Sequence, residues 1–178
     1  MKFISTKIKD LKIIQSDPFA DNRGYLQRSF CKNEMTNSQI SFEIKQSNIS
    51  FNKKARTLRG FHYQVEPFAE KKIITCLTGS IHNIVIDLRK KSKTYLKWQS
   101  FKMSSTNKVS ILVPEMCANA YLSLEDNTTI LYFHSQFYNP KCSKTFHYNS
   151  KTLNLDWPLL PEVISHKDNN SPDILEIV

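Results

Sequence analysis

The chain has 178 residues, the size of one folding unit, so one hydrophobic core and a single domain over residues 1–178 are expected. Twenty-five Lys plus Arg against 16 Asp plus Glu leave a net charge of +9, which points to an anionic partner: nucleic acid, a membrane surface or a phosphorylated small molecule. Three glycines are present where average usage of roughly 7% would supply about 12, so collagen-like, Gly-Ser linker and low-complexity readings are excluded.

In chain order, residues 1–7 contain no apolar stretch of signal-peptide length, and charges interrupt every later apolar run before it could span a bilayer. A cytoplasmic, soluble protein without membrane contact is expected. The best helix candidate is a short turn near residues 32–38. The apolar runs that follow are short, β-branched or aromatic, and bounded by polar turns, which predicts strands over residues 73–77, 81–88, 109–113 and 129–133. Alternation within 81–88 sets His82, Ile84, Ile86 and Leu88 on one face and Asn83, Val85 and Asp87 on the other. Thr78-Gly79 reads as the hairpin turn joining the first two of these strands. Many short strands at this spacing favour an all-β barrel or jelly roll.

Cys31, Cys76, Cys117 and Cys142 form no Cys-x-x-Cys pair, and free thiols of a reducing compartment are expected. The basic residues fall in small clusters such as Lys53-Lys54, Lys71-Lys72 and Arg89-Lys90-Lys91, the pattern of a solvated face. Nucleic-acid binding would ask for basic residues interleaved with exposed aromatics, or for a recognition helix, and neither is visible.

The densest group of chemically capable residues is Leu58-Arg59-Gly60-Phe61-His62-Tyr63-Gln64, followed by Lys72 and then Gly79. Arg59, His62 and Gln64, set just before a strand pair, are expected to line the inside of a small barrel, where an unpaired charge is costly. His82, by contrast, reads as a satisfied structural histidine.

These residues, with Phe19-Ala20-Asp21-Asn22-Arg23-Gly24, Gln46-Ser47-Asn48, Val85-Ile86-Asp87-Leu88-Arg89, Leu131-Tyr132, Tyr138-Asn139-Pro140, Asp156-Trp157-Pro158 and Ser165-His166-Lys167-Asp168, resemble in order and spacing the dTDP-4-dehydrorhamnose 3,5-epimerases. Those are nucleotide-sugar enzymes of the cupin jelly-roll fold. The resemblance implies that His62 is the general base, that Asp168 orients and charges it, that Lys72 sits near the sugar ketone, and that Tyr132 is the acid on the opposite face. It further implies that Tyr138 stacks on the nucleotide base, and that Arg23, Arg28, Gln46, Asn48, Arg59, Asn119 and Lys167 contact the ligand. Relatives of this fold are usually homodimers in which an N-terminal strand crosses to the partner's sheet, which would put Arg23, with Arg28 as a second candidate, in the neighbour's site.

The implied chemistry needs these residue types. A 4-keto group makes the hydrogens on C3 and C5 weakly acidic, and a neutral imidazole removes one only if the enolate oxygen meets a positive donor. Inversion returns the proton from the other face, so a second group must stand across the ring. Guanidinium groups suit the diphosphate because each can bind two oxygens at once. Many cupins bind a metal through a His-x-His pair and a later His. Here those positions read His62-Tyr63-Gln64 and Asn119, too few good ligands for zinc or iron, so no metal and no cofactor are expected.

Departures from the family pattern leave parts of the function open. Asn119 and Asn83 stand where other members have His and Asp, which leaves open inversion at C3 alone or at C3 and C5. Arg28 and Ser143 replace two Glu on the nucleotide side, and residues 145–150 lack the family's Gly and Asp, which leaves dTDP, GDP and CDP as candidate nucleotides. The competing readings are a cupin that binds a nucleotide sugar or other carbohydrate without turning it over, and a 3,4-ketoisomerase on the same fold.

Overall fold

The structure, a computed structural model, describes residues 1–177. The chain begins with β1 (Lys2–Ser5), β2 (Lys12–Gln15), the small hairpin β3 (Phe19–Asp21) and β4 (Gly24–Leu26), then α1 (Lys32–Asn37). β5 (Gln46–Asn52), β6 (Thr57–Gln64), β7 (Lys72–Thr78), β8 (Ser80–Asp87), β9 (Trp98–Ser104), β10 (Val109–Val113), β11 (Cys117–Ser123) and β12 (Thr128–His134) form the body. The short β13 (Ser143–Thr145), β14 (Val163–Ile164), α2 (His166–Asn169) and a 3-10 turn at Ile174–Glu176 follow. One sheet runs β1-β2-β10-β7-β12-β5 and the other β13-β6-β11-β8-β9, with β14 added parallel to β6. The two sheets face each other as a jelly-roll sandwich. The strands and the short helix expected from the sequence are present, each with ends within a residue or so of the expected bounds.

Thr78-Gly79 does not close a hairpin. β7 pairs with β10 and β12, and β8 pairs with β11 and β9. Both edges of each strand are already taken, so the turn carries the chain from one sheet to the other. Gly79 makes that crossing at φ 72°, where a Cβ would lie 2.3 Å from Thr128 Oγ1, so the tight passage excludes a side chain.

Alternation explains the layering. On β8, Ile81 and Val85 enter the core between the sheets, where they meet Ile74, Ile111 and Ile130, while Ile84 and Ile86 face outward into a second core. That outer core is closed by the C-terminal segment, with Phe146 stacked on Phe61 at 4.7 Å and Trp157 tilted against the same ring. On the other side α1 lays Met35, with Phe42, over Ile14, Ile73 and Leu112. Covering both outer faces removes large aromatic and aliphatic areas from water, at roughly 25 cal/mol per Å². His82 points into the outer core at 5.9 Å from Trp157 and lies away from the cavity. Burial pushes its imidazole below the ordinary range, and its Nε2 has no partner among the described residues, so it is not the fully satisfied histidine expected.

The base of the second sheet carries a closed charge cluster. Asp87, fully buried, accepts from Arg89 Nε at 2.8 Å, Ser92 Oγ at 2.7 Å and Thr94 Oγ1 at 2.6 Å. Burial alone would raise this carboxyl, but the donors outweigh it and hold it at about 2. The four cysteines are free, and burial pushes Cys117 up to about 12 and Cys76 to about 11, which makes both inert thiols.

Candidate active site

A cavity of about 330 Å³ opens between the sheets. Its β6 wall depends on a break in the ladder. Across from β11, Asn119 faces His62 and Tyr121 faces Arg59, so three residue steps on β6 span two on β11. At a spacing of three, Arg59 and His62 would point to opposite faces of a regular strand. The bulge turns both toward the cavity while Phe61 points back into the outer core. Gly60 permits it: φ is +122°, and a Cβ there would meet Ala120 Cα at 2.6 Å.

His62 Nε2 lies 2.7 Å from Asp168 Oδ1. Asp168 is 3% exposed, its backbone N–H donates to the Ser165 hydroxyl that caps α2, and its Oδ2 accepts from Gly60 N–H at 3.4 Å. Burial works to raise the Asp168 carboxyl, but the His62 hydrogen bond and the other donors hold it below the usual range. A charged carboxylate thus faces the imidazole and fixes the ring's orientation.

Lys72 starts β7 and is 6% exposed. Its ammonium donates to the His62 carbonyl at 3.2 Å and to Asn119 Oδ1 at 3.3 Å, and lies 3.3 Å from Glu70 Oε1. The other Glu70 oxygen accepts from His134 Nδ1 at 2.8 Å. Burial tends to raise Glu70, yet His134 and Lys72 together keep it below the ordinary range.

Tyr132 stands on β12, in the sheet opposite His62, with its ring stacked on His134 at 5.7 Å. Burial, and the Tyr121 hydroxyl beside it, push the Tyr132 phenol well above its ordinary value, so it remains a proton donor. Tyr121 OH donates to Asn52 Oδ1 at 3.1 Å, and the same oxygen accepts from Arg59 Nε at 2.9 Å. Arg59 Nη2 also donates to the Phe51 carbonyl at 3.4 Å, so two acceptors hold the guanidinium beside the cavity.

Asn48, Arg59, Asn119, Tyr138 and Lys167 also line the cavity, together with His62, Lys72 and Tyr132. Asp168 stands behind His62. Gln46 uses its Oε1 to accept from the Tyr138 N–H at 3.1 Å, and buried Gln64 pins the same loop by accepting from Asn139 N–H at 2.7 Å. Arg23 and Arg28 are not brought to the cavity of their own chain: Arg23 pairs with Asp21 on the β3–β4 hairpin, and Arg28 with Glu34 of α1. Asn83 is fully buried across from Tyr121, with neither amide atom partnered among the described residues. No cluster of three or more His, Cys, Asp or Glu side chains suited to a metal occurs among the described residues.

Glu70, Ser50, Asn52, Tyr121 and His134 join this site without having been singled out from the sequence. A usable signal existed for two of them. His134 stands two residues from Tyr132 on β12, the spacing that returns a strand residue to the same face, and Glu70 stands at the same spacing from Lys72 just ahead of β7.

A sequence model of the dTDP-4-dehydrorhamnose 3,5-epimerase family matches residues 5–176. The dTDP-4-dehydrorhamnose 3,5-epimerase of Shigella flexneri is 31% identical over 179 aligned residues, covering 99% of this chain and 97% of that protein. The crystal structure of the enzyme of that name from Bacillus anthracis, with TDP and PPi bound, superposes with a TM-score of 0.94 at 30% identity, over 97% of this chain and 99% of that one. The dTDP-6-deoxy-D-glucose-3,5-epimerase of Legionella pneumophila, in complex with dTDP-4-keto-L-rhamnose, superposes with a TM-score of 0.93 at 28% identity, over 99% and 94% of the two chains.

Proposed function

The chain belongs to the dTDP-4-dehydrorhamnose 3,5-epimerase family, and on that premise we propose that it inverts C3, or C3 and C5, of a dTDP-linked 4-keto-6-deoxy sugar without a cofactor. The observation that carries this reading is the His62–Asp168 pair, 2.7 Å apart, on the cavity wall that faces Tyr132. The relatives solved with TDP and with dTDP-4-keto-L-rhamnose support a dTDP-linked substrate.

In this mechanism neutral His62 takes the proton from the carbon beside the ketone, and Asp168 stabilises the imidazolium that forms. The electron pair moves onto the ketone oxygen. Lys72 meets the developing enolate with its ammonium, the largest electrostatic contribution such a reaction can draw on. Tyr132 returns a proton to the carbon from the opposite sheet, which inverts the centre. Asn119 holds the Lys72 ammonium in place, Tyr138 stacks on the base, Arg59 and Lys167 receive the diphosphate, and Asn48 contacts the ligand between them.

The working unit is a homodimer with N-terminal strand exchange. The β3–β4 hairpin pairs with no other strand among the described residues, and Phe19 and Leu26 on it are 80% and 74% exposed. The outer edge strand β5 presents Ile49 and Phe51 to water at 70% and 54%. An open edge and an unpaired apolar hairpin complement each other in a second copy, and Arg23 on the hairpin would then reach the neighbour's diphosphate.

The test is incubation with a dTDP-linked 4-keto-6-deoxy sugar in deuterated water, with NMR at C3 and C5. Deuterium at both positions supports double inversion, and at C3 alone a 3-epimerase. No incorporation at either position would refute catalysis.

A further inference from the structure

Two residues of the cavity, Glu70 and His134, have no part in these steps. Glu70 precedes Lys72 by two residues, His134 follows Tyr132 by two, and the ladder sets His134 directly across from Lys72. Glu70 spans the pair, one oxygen on each. The three side chains are 8%, 7% and 13% exposed. Charges so far withdrawn from water are costly unless partnered, which accounts for a carboxylate beside Lys72. It does not account for the imidazole on the carboxylate's far side.

The contacts of Lys72 give that imidazole a purpose. Of the three acceptors around Nζ, the His62 carbonyl and the Asn119 amide are neutral, and Glu70 alone among the described residues within ion-pair distance carries a full negative charge. During the reaction the enolate oxygen must compete with Glu70 for the ammonium. A carboxylate with its second oxygen committed to a donor is a weaker competitor than a free one. Glu70 can only accept as a carboxylate, so His134 Nδ1 carries the proton. Nε2 then turns to the Asn48 amide nitrogen at 3.4 Å, while the ring lies nearly parallel to Tyr132 at 22°. Both ring nitrogens and one face of the imidazole thus have neighbours.

We propose that Glu70 and His134 are positioning residues for Lys72. Glu70 fixes the ammonium at the ketone, and His134 draws part of the carboxylate's charge away so that the ammonium remains available to the enolate. The inference rests on the epimerase reading, and its test separates the two.

Exchange kinetics in deuterated water and dTDP affinity are measured on Glu70→Gln, His134→Leu and His134→Asn, and on the first two combined with Lys72→Ala. Glu70→Gln and His134→Leu are expected to lower kcat for exchange by about 10- to 100-fold, the range for a misplaced catalytic group, with dTDP affinity unchanged. His134→Asn, whose amide nitrogen takes the place of Nδ1, restores most of the rate. In the Lys72→Ala background neither substitution costs more, because residues acting through Lys72 lose their effect with it.

Unchanged kcat, equal losses in His134→Leu and His134→Asn, a parallel fall in dTDP affinity, or losses that multiply with Lys72→Ala each overturn the proposal. If Glu70→Gln fails to fold, the His134→Leu and His134→Asn comparison decides. Wild-type protein that exchanges nothing overturns the epimerase reading and this proposal with it. Wild-type exchange beside insensitive variants overturns this proposal alone.

Discussion

The β6 wall of the cavity carries His62 on a strand that breaks its ladder at Gly60, whereas the β12 wall carries Tyr132 and His134 on a strand that keeps its register from Ile130 onward. The first wall is backed by a closed aromatic core of Phe61, Phe146 and Trp157. The second is flanked by β5, whose outer edge is open. In the proposed mechanism the base thus stands on the wall with the backing core, where Asp168 lies 2.7 Å from His62. The acid of that mechanism, Tyr132, stands on a plain strand, where burial and the neighbouring Tyr121 hydroxyl raise the phenol above its ordinary value.

The sharpest way to break this comparison is to remove each reactive group in turn. His62→Ala is expected to lower deuterium exchange by about 100- to 10,000-fold, since nothing else on the β6 wall is placed to abstract the proton. Full exchange in that variant would place the base elsewhere. The backing of the same wall is next: Phe61→Ala opens a cavity against Phe146 and is expected to cost about 3–5 kcal/mol of stability, read by urea unfolding. A loss under about 1 kcal/mol would mean that the outer core collapses around the gap.

On the other wall, Tyr132→Phe keeps the ring and removes the proton. Exchange should continue through His62, while inversion per exchange event falls by about 100-fold, a typical contribution of a positioned acid. Equal losses of exchange and inversion would show that Tyr132 acts before the enolate forms rather than after it.

The contrast between walls also explains what the sequence could reveal. Arg59, Gly60, His62 and Gln64 are legible because a bulge that must bring residues three apart to one face needs glycine at a fixed place, and so leaves a compact signature. His134 on β12 and Glu70 just ahead of β7 carry only the spacing of two from Tyr132 and Lys72, a weak signal that competes with every other polar residue near a strand. Asp168 lies 106 positions from His62, a distance that only the resemblance could bridge. The Thr78-Gly79 turn departs from the expected hairpin for a related reason: a turn sequence specifies a reversal of the chain, while the neighbours available to each strand decide whether the reversal stays within one sheet. Local pattern therefore gives the strands, and competition for edges gives the sheets.

The remaining charge cluster lies in the same sheet as His62 but away from the cavity, so it separates stability from catalysis. Asp87 is held at about 2 in the folded protein against its ordinary 3.8. Because the folded value is the lower one, its contribution is complete above the ordinary value and is lost as pH falls through the folded value. That contribution amounts to about 2 kcal/mol, disappearing between about pH 4 and about pH 2. Asp87→Asn should lose this increment at neutral pH and flatten the acid limb of stability by the same amount, measured by urea unfolding at several pH values. Exchange at C3 and C5 should stay within about twofold of wild type, because a distant site couples to catalysis weakly if at all. A large loss of exchange with stability intact would mean that the Asp87–Arg89 cluster bears on the cavity through β8 and β11, and that the β6 wall is less self-contained than its geometry suggests.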